Sequence, residues 1–299
     1  MNIADHSDLV RDEKPPWVWI DGAVVPVGEA RVPVSDHGFL YGDSIYETFR
    51  TIDGRPFAVE PHLERLERSA AAIELTLPLS RNALVEAIDA VVEAAPSDRE
   101  VGIRLMVTRG AGPLGLDFSR CEPQAILFGW PILPGPHPHA ETGVAAVIST
   151  IRRNPPGALN PHIKSGNFLN NILAYQEAKR AGAFEAILLT TEETVAEGTT
   201  SNVFWIRDGE LRGPDDRGIL LGITRREVQR LGEQHGLPCR VGRYPCEELT
   251  DADELFITST LKAVLPVVEL DGHPVGAGEP GPVTRRFQGW YDAHIRHLV

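Results

Sequence analysis

Four Asp-Gly pairs, each set between strand-like runs, do most to limit what this chain can become. They are Asp21-Gly22 in WVWIDGAVVPV, Asp53-Gly54 in FRTIDGRPFAV, Asp208-Gly209 in VFWIRDGELRG and Asp271-Gly272 in VVELDGHPV. A two-residue hairpin loop needs positive φ at both central positions, which Asp and Gly accept more readily than most residues. Each pair therefore predicts two antiparallel strands joined by a tight turn. Two pairs lie near the front of the chain and two near the back, so both halves must contain paired strands. Further strands are expected at Val101–Thr108, Ala125–Trp130, Val144–Ser149 and Ala186–Thr190.

Helical periodicity falls between these strands. In PHLERLERSAAAIEL, residues Leu63, Leu66, Ala70 and Ile73 recur at helical spacing, with Glu64, Arg65 and Arg68 on other sides. A second helix is expected over about Ala83–Ala94, and a third from about Asn167 to Ala181, stopped by Gly182. A fourth opens at Thr224, where Glu227 three residues on would complete a capping box, and ends near Gly236. The last covers roughly Pro282–His297. The run PILPGPHPH (131–139) holds four prolines and no periodicity, and reads as an interdomain connection. The expected fold class is α+β (mixed α/β): two domains with mixed sheets and flanking helices. Its parts are a flexible tail at 1–16, an N-terminal α/β domain at 17–130, the connection at 131–139 and a C-terminal domain at 140–299.

Composition removes several functions. A net charge of -13 over 299 residues disfavours a nucleic-acid partner, which needs a dense basic face. No apolar run approaches the roughly 20 residues of a membrane span. The opening MNIADHSDLVRDEKPP is polar and of mixed charge, unlike a signal peptide or anchor, so a cytoplasmic location is expected. Cys121, Cys239 and Cys246 are odd in number and lack metal-type spacing, as expected of free thiols in a reducing compartment. The histidines form no HExxH pattern, and no metal site is expected.

Chemistry that requires lysine has few candidates. The chain holds four lysines, at 14, 164, 179 and 262, against twenty-five arginines. Lys14 lies in the tail, and Lys179 sits beside Glu177 and Arg180 on a helix surface. Lys164 ends the irregular NPPGALNPHIK stretch, just before Ser165-Gly166 and a helix. A helix start and a cleft would both favour the neutral, nucleophilic amine there, although a lysine before a helix is more often a solvated charge. Lys262, within apolar FITSTLKAVLPVV, is its rival. Gly222-Ile223-Thr224-Arg225 opens a helix whose free N–H groups and Thr224 hydroxyl suit an oxyanion, or simply cap the helix. Ser259-Thr260 supplies further hydroxyls at a strand end, and Arg65 a fixed positive charge. Glu197, in TVAEGTTSNVFWI, is a carboxylate in so apolar a strand that it needs a cationic or N–H partner, unless it lies at an edge.

These residues sit in a longer pattern. DHGFLYGDSIYETFR (36–50), PHLERLERSA (61–70), RLMVTRGAGPLGLD (104–117), IKSGNFLNNILAYQEAKRAGAFEAILL (163–189), VAEGTTSNVFWI (195–206), GITRREV (222–228) and ELFITSTLKAVLPVVELDG (254–272) together resemble the fold-type IV pyridoxal 5'-phosphate enzymes. That group comprises branched-chain aminotransferases, D-amino-acid aminotransferases and aminodeoxychorismate lyases, and the resemblance runs from about Val18 to Arg296. It implies that Lys164 is the catalytic residue, holding the cofactor as a Schiff base, and that Glu197 partners the pyridine nitrogen. It implies a phosphate cup of Arg65, Ile223, Thr224 and Thr260, with Ser259 beside it. The C-terminal domain would then carry most of the cofactor contacts.

The same resemblance points to substrate-side residues. Arg104 matches a substrate-side arginine of the branched-chain group, and Phe39, Tyr41 and Tyr46 match aromatic pocket positions. Leu261 and Lys262 replace a usual small pair after the phosphate threonine, adding bulk and charge at the carboxylate edge. Leu114-Gly115-Leu116 stands where D-amino-acid enzymes carry an Arg-x-His carboxylate trap. Gly102 and Phe168 stand where branched-chain enzymes place tyrosines, and Phe168 also replaces an arginine of the lyases. Restoring tyrosine at 102 is expected to favour L-leucine over its enantiomer. The implied activity is transamination between a branched-chain type L-amino acid and 2-oxoglutarate, by a homodimer. Alternatives are a D-amino-acid or (R)-amine transaminase, an aminodeoxychorismate lyase, or a phosphate-ligand binder without turnover.

Overall fold

The computed structural model describes residues 16–96 and 98–297, so the expected tail lies, apart from Pro16, outside the described residues. The chain divides into two compact units. Residues 16–135 and Ile163–Asn167 form the first, and Pro136–His162 with Phe168–His297 form the second. Ile163–Asn167, which carries Lys164, thus groups with the front of the chain, a division that no linear cut of the sequence anticipates.

All four Asp-Gly pairs make the predicted turns. Their φ values are 51 and 83° at Asp21-Gly22, 50 and 76° at Asp53-Gly54, 53 and 73° at Asp208-Gly209, and 50 and 77° at Asp271-Gly272. Both central residues are left-handed, the geometry whose twist matches that of the flanking strands.

The first unit holds β1 (Trp17–Ile20), β2 (Ala23–Pro26), α1 (His37–Tyr41), β3 (Ser44–Ile52), β4 (Arg55–Pro56), α2 (Val59–Ala72), α3 (Arg81–Glu93), β5 (Glu100–Ala111) and β6 (Glu122–Ile132). Its strands form one antiparallel sheet in the order β2-β1-β6-β5-β3-β4. Alternation along the central strands sorts their side chains. Ile45, Phe49, Val101, Ile103, Leu105, Val107 and Leu127 join Leu63, Leu66 and Ala70 of α2 in the core. Tyr46, Thr48, Gly102, Arg104, Phe128 and Trp130 therefore point to the opposite face. Near the end of β5 the ladder slips between Thr108 and Ala111, and Gly110 takes φ +84°. A Cβ there would lie 1.6 Å from the Glu122 carbonyl oxygen, so the glycine of the TRG motif is required by backbone approach.

The second unit holds β7 (Val144–Arg152), α4 (Leu169–Ala181), β8 (Glu185–Leu189), β9 (Val195–Gly198), β10 (Asn202–Arg207), β11 (Glu210–Pro214), α5 (Ile223–Gln234), β12 (Arg240–Gly242), α6 (Glu247–Thr250), β13 (Glu254–Ser259), β14 (Ala263–Leu270), β15 (His273–Pro274) and α7 (Pro282–His297). Its sheet runs β12-β11-β10-β13-β14-β7-β8-β9, with β15 on β14. The pairs β14·β7, β7·β8 and β11·β12 are parallel and the rest antiparallel, so the expected mixed sheet is present. β8, β9 and most of β10 are buried along their whole length rather than at alternate positions, the charged Glu185 and Glu197 included.

Three helix expectations need correction. Arg65 does not lie on a solvent side of α2: it is 5% exposed, drawn in by Glu47 on β3. Helix α4 starts at Leu169 rather than Asn167, although Gly182 ends it with φ 74° as foreseen. Helix α5 starts at Ile223 with Gly222 as N-cap and no side-chain cap bond. Thr224 is already inside the first turn, and Glu227 turns to Arg230 and His294, so no capping box forms.

Candidate functional site

In the first unit, Lys164 is held by its backbone. Tyr46 N donates to the Lys164 carbonyl (2.9 Å), Gly166 N to Ser44 O (2.8 Å), and Lys164 N to Ser69 Oγ (3.2 Å). Ile163–Asn167 thus lies along the start of β3 as a short added strand. Gly166 is needed for that approach, since a Cβ there would stand 2.1 Å from Ser44 Oγ. The Lys164 amine lies 3.1 Å from Tyr46 Oη and 4.3 Å from the ring centroid. Arg104 places its guanidinium carbon 4.3 Å from the same centroid. A hydroxyl, not a carboxylate, is therefore the recorded partner of the lysine. Helix α4 begins five residues beyond Lys164, and within its own unit the amine meets Tyr46.

Behind Tyr46 lies a buried ionic cluster. Glu47 accepts from Arg65 Nε (2.8 Å) and Nη2 (2.7 Å), and pairs with His62 Nδ1 (2.7 Å). Burial alone would raise the Glu47 carboxyl; the Arg65 charge and the hydrogen bonds from Arg65 and His62 outweigh it and hold it at about 2. Burial pushes His62 the opposite way, below its ordinary value, against the pull of Glu47.

In the second unit, Glu197 finds the partners its burial requires. Arg153 Nε donates to Oε1 (2.7 Å), while Leu220 N (2.9 Å) and Asn202 Nδ2 (3.4 Å) reach Oε2. Asn202 also donates to the Leu220 carbonyl (2.9 Å), tying β10 to the turn before α5. Gly222 packs so tightly on Asn202 that a Cβ would lie 2.0 Å from Oδ1. Ile223 and Thr224 are buried in the first turn of α5, where backbone N–H groups have no partner within the helix. Ser259, Thr260 and Leu261 occupy the turn from β13 to β14.

Lys262 departs from expectation. It is 3% exposed, and its amine donates to Glu185 (2.8 Å) and Thr200 Oγ1 (2.7 Å). Its one amine is held by a carboxylate and a hydroxyl, whereas the Lys164 amine is met by the Tyr46 hydroxyl. Gly102 departs too. A Cβ there would lie 2.3–2.6 Å from the Trp130 indole, so Trp130 from the neighbouring strand fills that space. Replacing Gly102 with tyrosine would displace Trp130 rather than simply restore a hydroxyl. Phe39 and Tyr41 are exposed on α1, and Tyr41 Oη accepts from Gly115 N at 3.0 Å.

Arg153, Asn202, Trp130 and Glu47 were not singled out in the sequence. The need of Glu197 for a cation was legible, but nothing in STIRRNPPG distinguishes Arg153 as that cation: Arg152, beside it, pairs with Glu193.

Residues 44–270 match the family model of amino-transferase class IV. A Methanocaldococcus jannaschii protein with a provisional branched-chain-amino-acid aminotransferase name is 38% identical over 274 residues, covering 91% of this chain and 93% of that one. The D-alanine aminotransferase of Staphylococcus haemolyticus is 36% identical over 281 residues, covering 93% and 97%. Among solved structures, a T.th. branched-chain amino acid aminotransferase complexed with N-(5'-phosphopyridoxyl)-L-glutamate superposes with a TM-score of 0.87 at 32% identity, covering 96% of each chain.

The Glu47 cluster makes a prediction about acid stability. Glu47→Gln strands a buried guanidinium and should cost about 3–5 kcal/mol in urea unfolding at pH 7. Because the folded carboxyl sits at about 2 against an ordinary 4.5, its contribution is complete above pH 4.5 and drains away as pH falls towards 2. The stability gap between wild type and variant should therefore narrow from pH 5 to pH 3; a constant gap would exclude an ionised Glu47.

Proposed function

The chain belongs to the class IV aminotransferases, dependent on pyridoxal 5'-phosphate, and from that premise we propose that it moves an amino group between a branched-chain or medium aliphatic L-amino acid and 2-oxoglutarate. The observation that carries the choice is the loop after β5. Leu114 and Leu116, 82% and 83% exposed, stand where D-amino-acid enzymes carry an Arg-x-His trap. An apolar loop suits an aliphatic side chain and cannot hold a carboxylate.

The residues fit the cofactor. Bound there, it acts as the electron sink for the bonds at the substrate's Cα. Lys164 would hold it covalently and, once released, carry the proton to and from Cα; the neighbouring Tyr46 hydroxyl, 3.1 Å away, would orient that amine. Glu197 would keep the ring nitrogen protonated. A carboxylate has about four acceptor positions; Arg153, Leu220 and Asn202 use three of them, which leaves one for the ring. The N–H groups and hydroxyl at Ile223 and Thr224, with Ser259, Thr260 and Arg65, would take the phosphate. Arg104, stacked on Tyr46, would meet the distal carboxylate of glutamate or 2-oxoglutarate. Leu261 would border the substrate's own carboxylate.

A second reading, a D-amino-acid or (R)-amine transaminase, is favoured by the D-alanine aminotransferase relatives and by Trp130 over Gly102, which replaces a hydroxyl with an indole. A homodimer is also part of the proposal. Val34, Phe39, Leu114 and Leu116 are exposed apolar side chains of the first unit, a surface that a second copy would cover. The three free cysteines suit a reducing cytoplasm.

Three measurements test this function. After borohydride treatment, mass spectrometry should place the cofactor adduct on the Lys164 peptide; an adduct at Lys262 would overturn the assignment. In a panel of L-amino acids, D-amino acids and (R)-amines with keto-acid acceptors, L-leucine or L-valine with 2-oxoglutarate should give the highest kcat/KM. Faster turnover of D-alanine or an (R)-arylamine would transfer the case to the second reading. Light scattering should report a dimer, and a fully active monomer would exclude one.

A further inference from the structure

Glu185, the first residue of β8, is fully buried, yet its partners come from separate stretches of the second unit. It accepts from Thr199 N (3.0 Å), the Thr199 hydroxyl, Ser201 Oγ (2.8 Å), Ala186 N (3.1 Å) and Lys262 Nζ (2.8 Å). Lys262 in turn donates to Thr200 Oγ1 at 2.7 Å. All three residues of the link between β9 and β10 are therefore fastened to this one ion pair.

That link is bounded by functional groups. Glu197 lies two residues before Thr199, and Asn202, which touches Glu197, directly follows Ser201. The link is also tight: Gly198 N donates to Ser201 O (2.8 Å), and a Cβ on Gly198 would stand 2.2 Å from Ser201 Oγ. At the other end, Lys262 belongs to the Ser259–Ala263 turn that presents Thr260. Its own N–H donates to Ser259 Oγ (3.2 Å), and the next residue, Ala263, is left-handed at φ 53°. A non-glycine residue in that conformation persists only where its surroundings hold it. Lys262, anchored by its side chain, supplies that hold.

We propose that Glu185 and Lys262 are a positioning pair for cofactor binding, fixing the Glu197 stretch and the Thr260 turn relative to each other. The proposal rests on the reading of Glu197 and Thr260 as cofactor ligands. Neither Glu185 nor Lys262 touches the reacting atoms in this role. A stabilising function alone is a weak account of the pair, because apolar residues of equal volume often hold a core as well as a buried ion pair does. What apolar residues cannot do is bind four donors from the link and the turn at once. Burial would raise the Glu185 carboxyl, but the Lys262 charge and the surrounding hydrogen bonds hold it at about 2, so the Glu185 anchor stays charged across the working range.

The test separates position from stability. Purified full-length Lys262→Met, Glu185→Gln and the double variant are stripped of cofactor and titrated with pyridoxal 5'-phosphate, and the thermal midpoint of each apoprotein is recorded. Lys262→Met should lower the midpoint and weaken cofactor binding by at least about tenfold, as loss of a supporting shell does. The double variant leaves no buried unpaired charge and should regain most of the midpoint, yet its affinity should stay about tenfold below wild type. Recovery of affinity together with the midpoint would overturn the proposal, as would unchanged affinity in the single variants. Should the double variant fail to fold, Ser201→Ala removes one donor and should weaken binding by about threefold at an unchanged midpoint; unchanged affinity there overturns the proposal equally. Glu197→Ala and Thr260→Val run in parallel. If they leave cofactor affinity intact, the ligand reading itself falls; if they weaken it while the pair's variants do not, only the positioning role falls.

Discussion

A carboxylate removed from water must be met by hydrogen-bond donors or a cation, and three of the buried glutamates draw in a cation. Glu47 draws Arg65 and His62 inward, Glu185 draws Lys262, and Glu197 draws Arg153. Each brings together residues distant in sequence: β3 with α2, β8 with the turn before β14, β9 with the end of β7. Leaving any one unpaired would cost more than a typical apolar truncation, so these contacts fix register and side-chain direction more firmly than packing alone. The candidate ligands of each unit adjoin one of these clusters: Lys164 and Tyr46 beside the Glu47 cluster, Asn202 beside Glu197, and Thr260 beside Lys262.

Lys164 is placed by a different device. Its segment pairs with the first residues of β3, so its position depends on backbone hydrogen bonds to Ser44 and Tyr46. Two details make this pairing work: Gly166, which admits Ser44, and Asn167, whose amide donates to Gly42 O at 2.9 Å. The SGN sequence after the lysine is thus explained by how the strand is attached. The amine then meets a tyrosine hydroxyl and ring, which orient it.

Much of this was legible in the sequence. The four Asp-Gly hairpins, the apolar stripe of α2, the glycine stop of α4 and the mixed sheet follow from local rules, because turn chemistry and periodicity are local. Lys164 and Glu197 stood out because so few lysines exist and because a carboxylate in an apolar strand needs explanation. What could not be read depends on pairing across the fold. Arg65 looked like a surface residue until Glu47 on another element claimed it, and Lys262 looked substrate-facing until Glu185 did. The capping box at Thr224 failed for a related reason: Glu227 found stronger partners in Arg230 and His294 than a helix N–H, so Gly222 took the cap position without a side chain.

The substrate face shows why specificity resists motif reading. Gly102 read alone is a lost tyrosine, and so a lost hydroxyl and an empty space. In the sheet its cross-strand neighbour is Trp130, and the indole lies over it closely enough to exclude even a methyl group. Volume has moved from β5 to β6: the face stays filled, but a hydroxyl that could donate and accept is replaced by an indole whose N–H can only donate, two residues along β5 from Arg104. Such an exchange keeps packing while changing which substrate atoms find a hydrogen-bond partner, and a missing partner discriminates more sharply than a missing methylene. The shape of this face is therefore set by which strand supplies the bulk at each point, a property of the register between β5 and β6 rather than of any single residue.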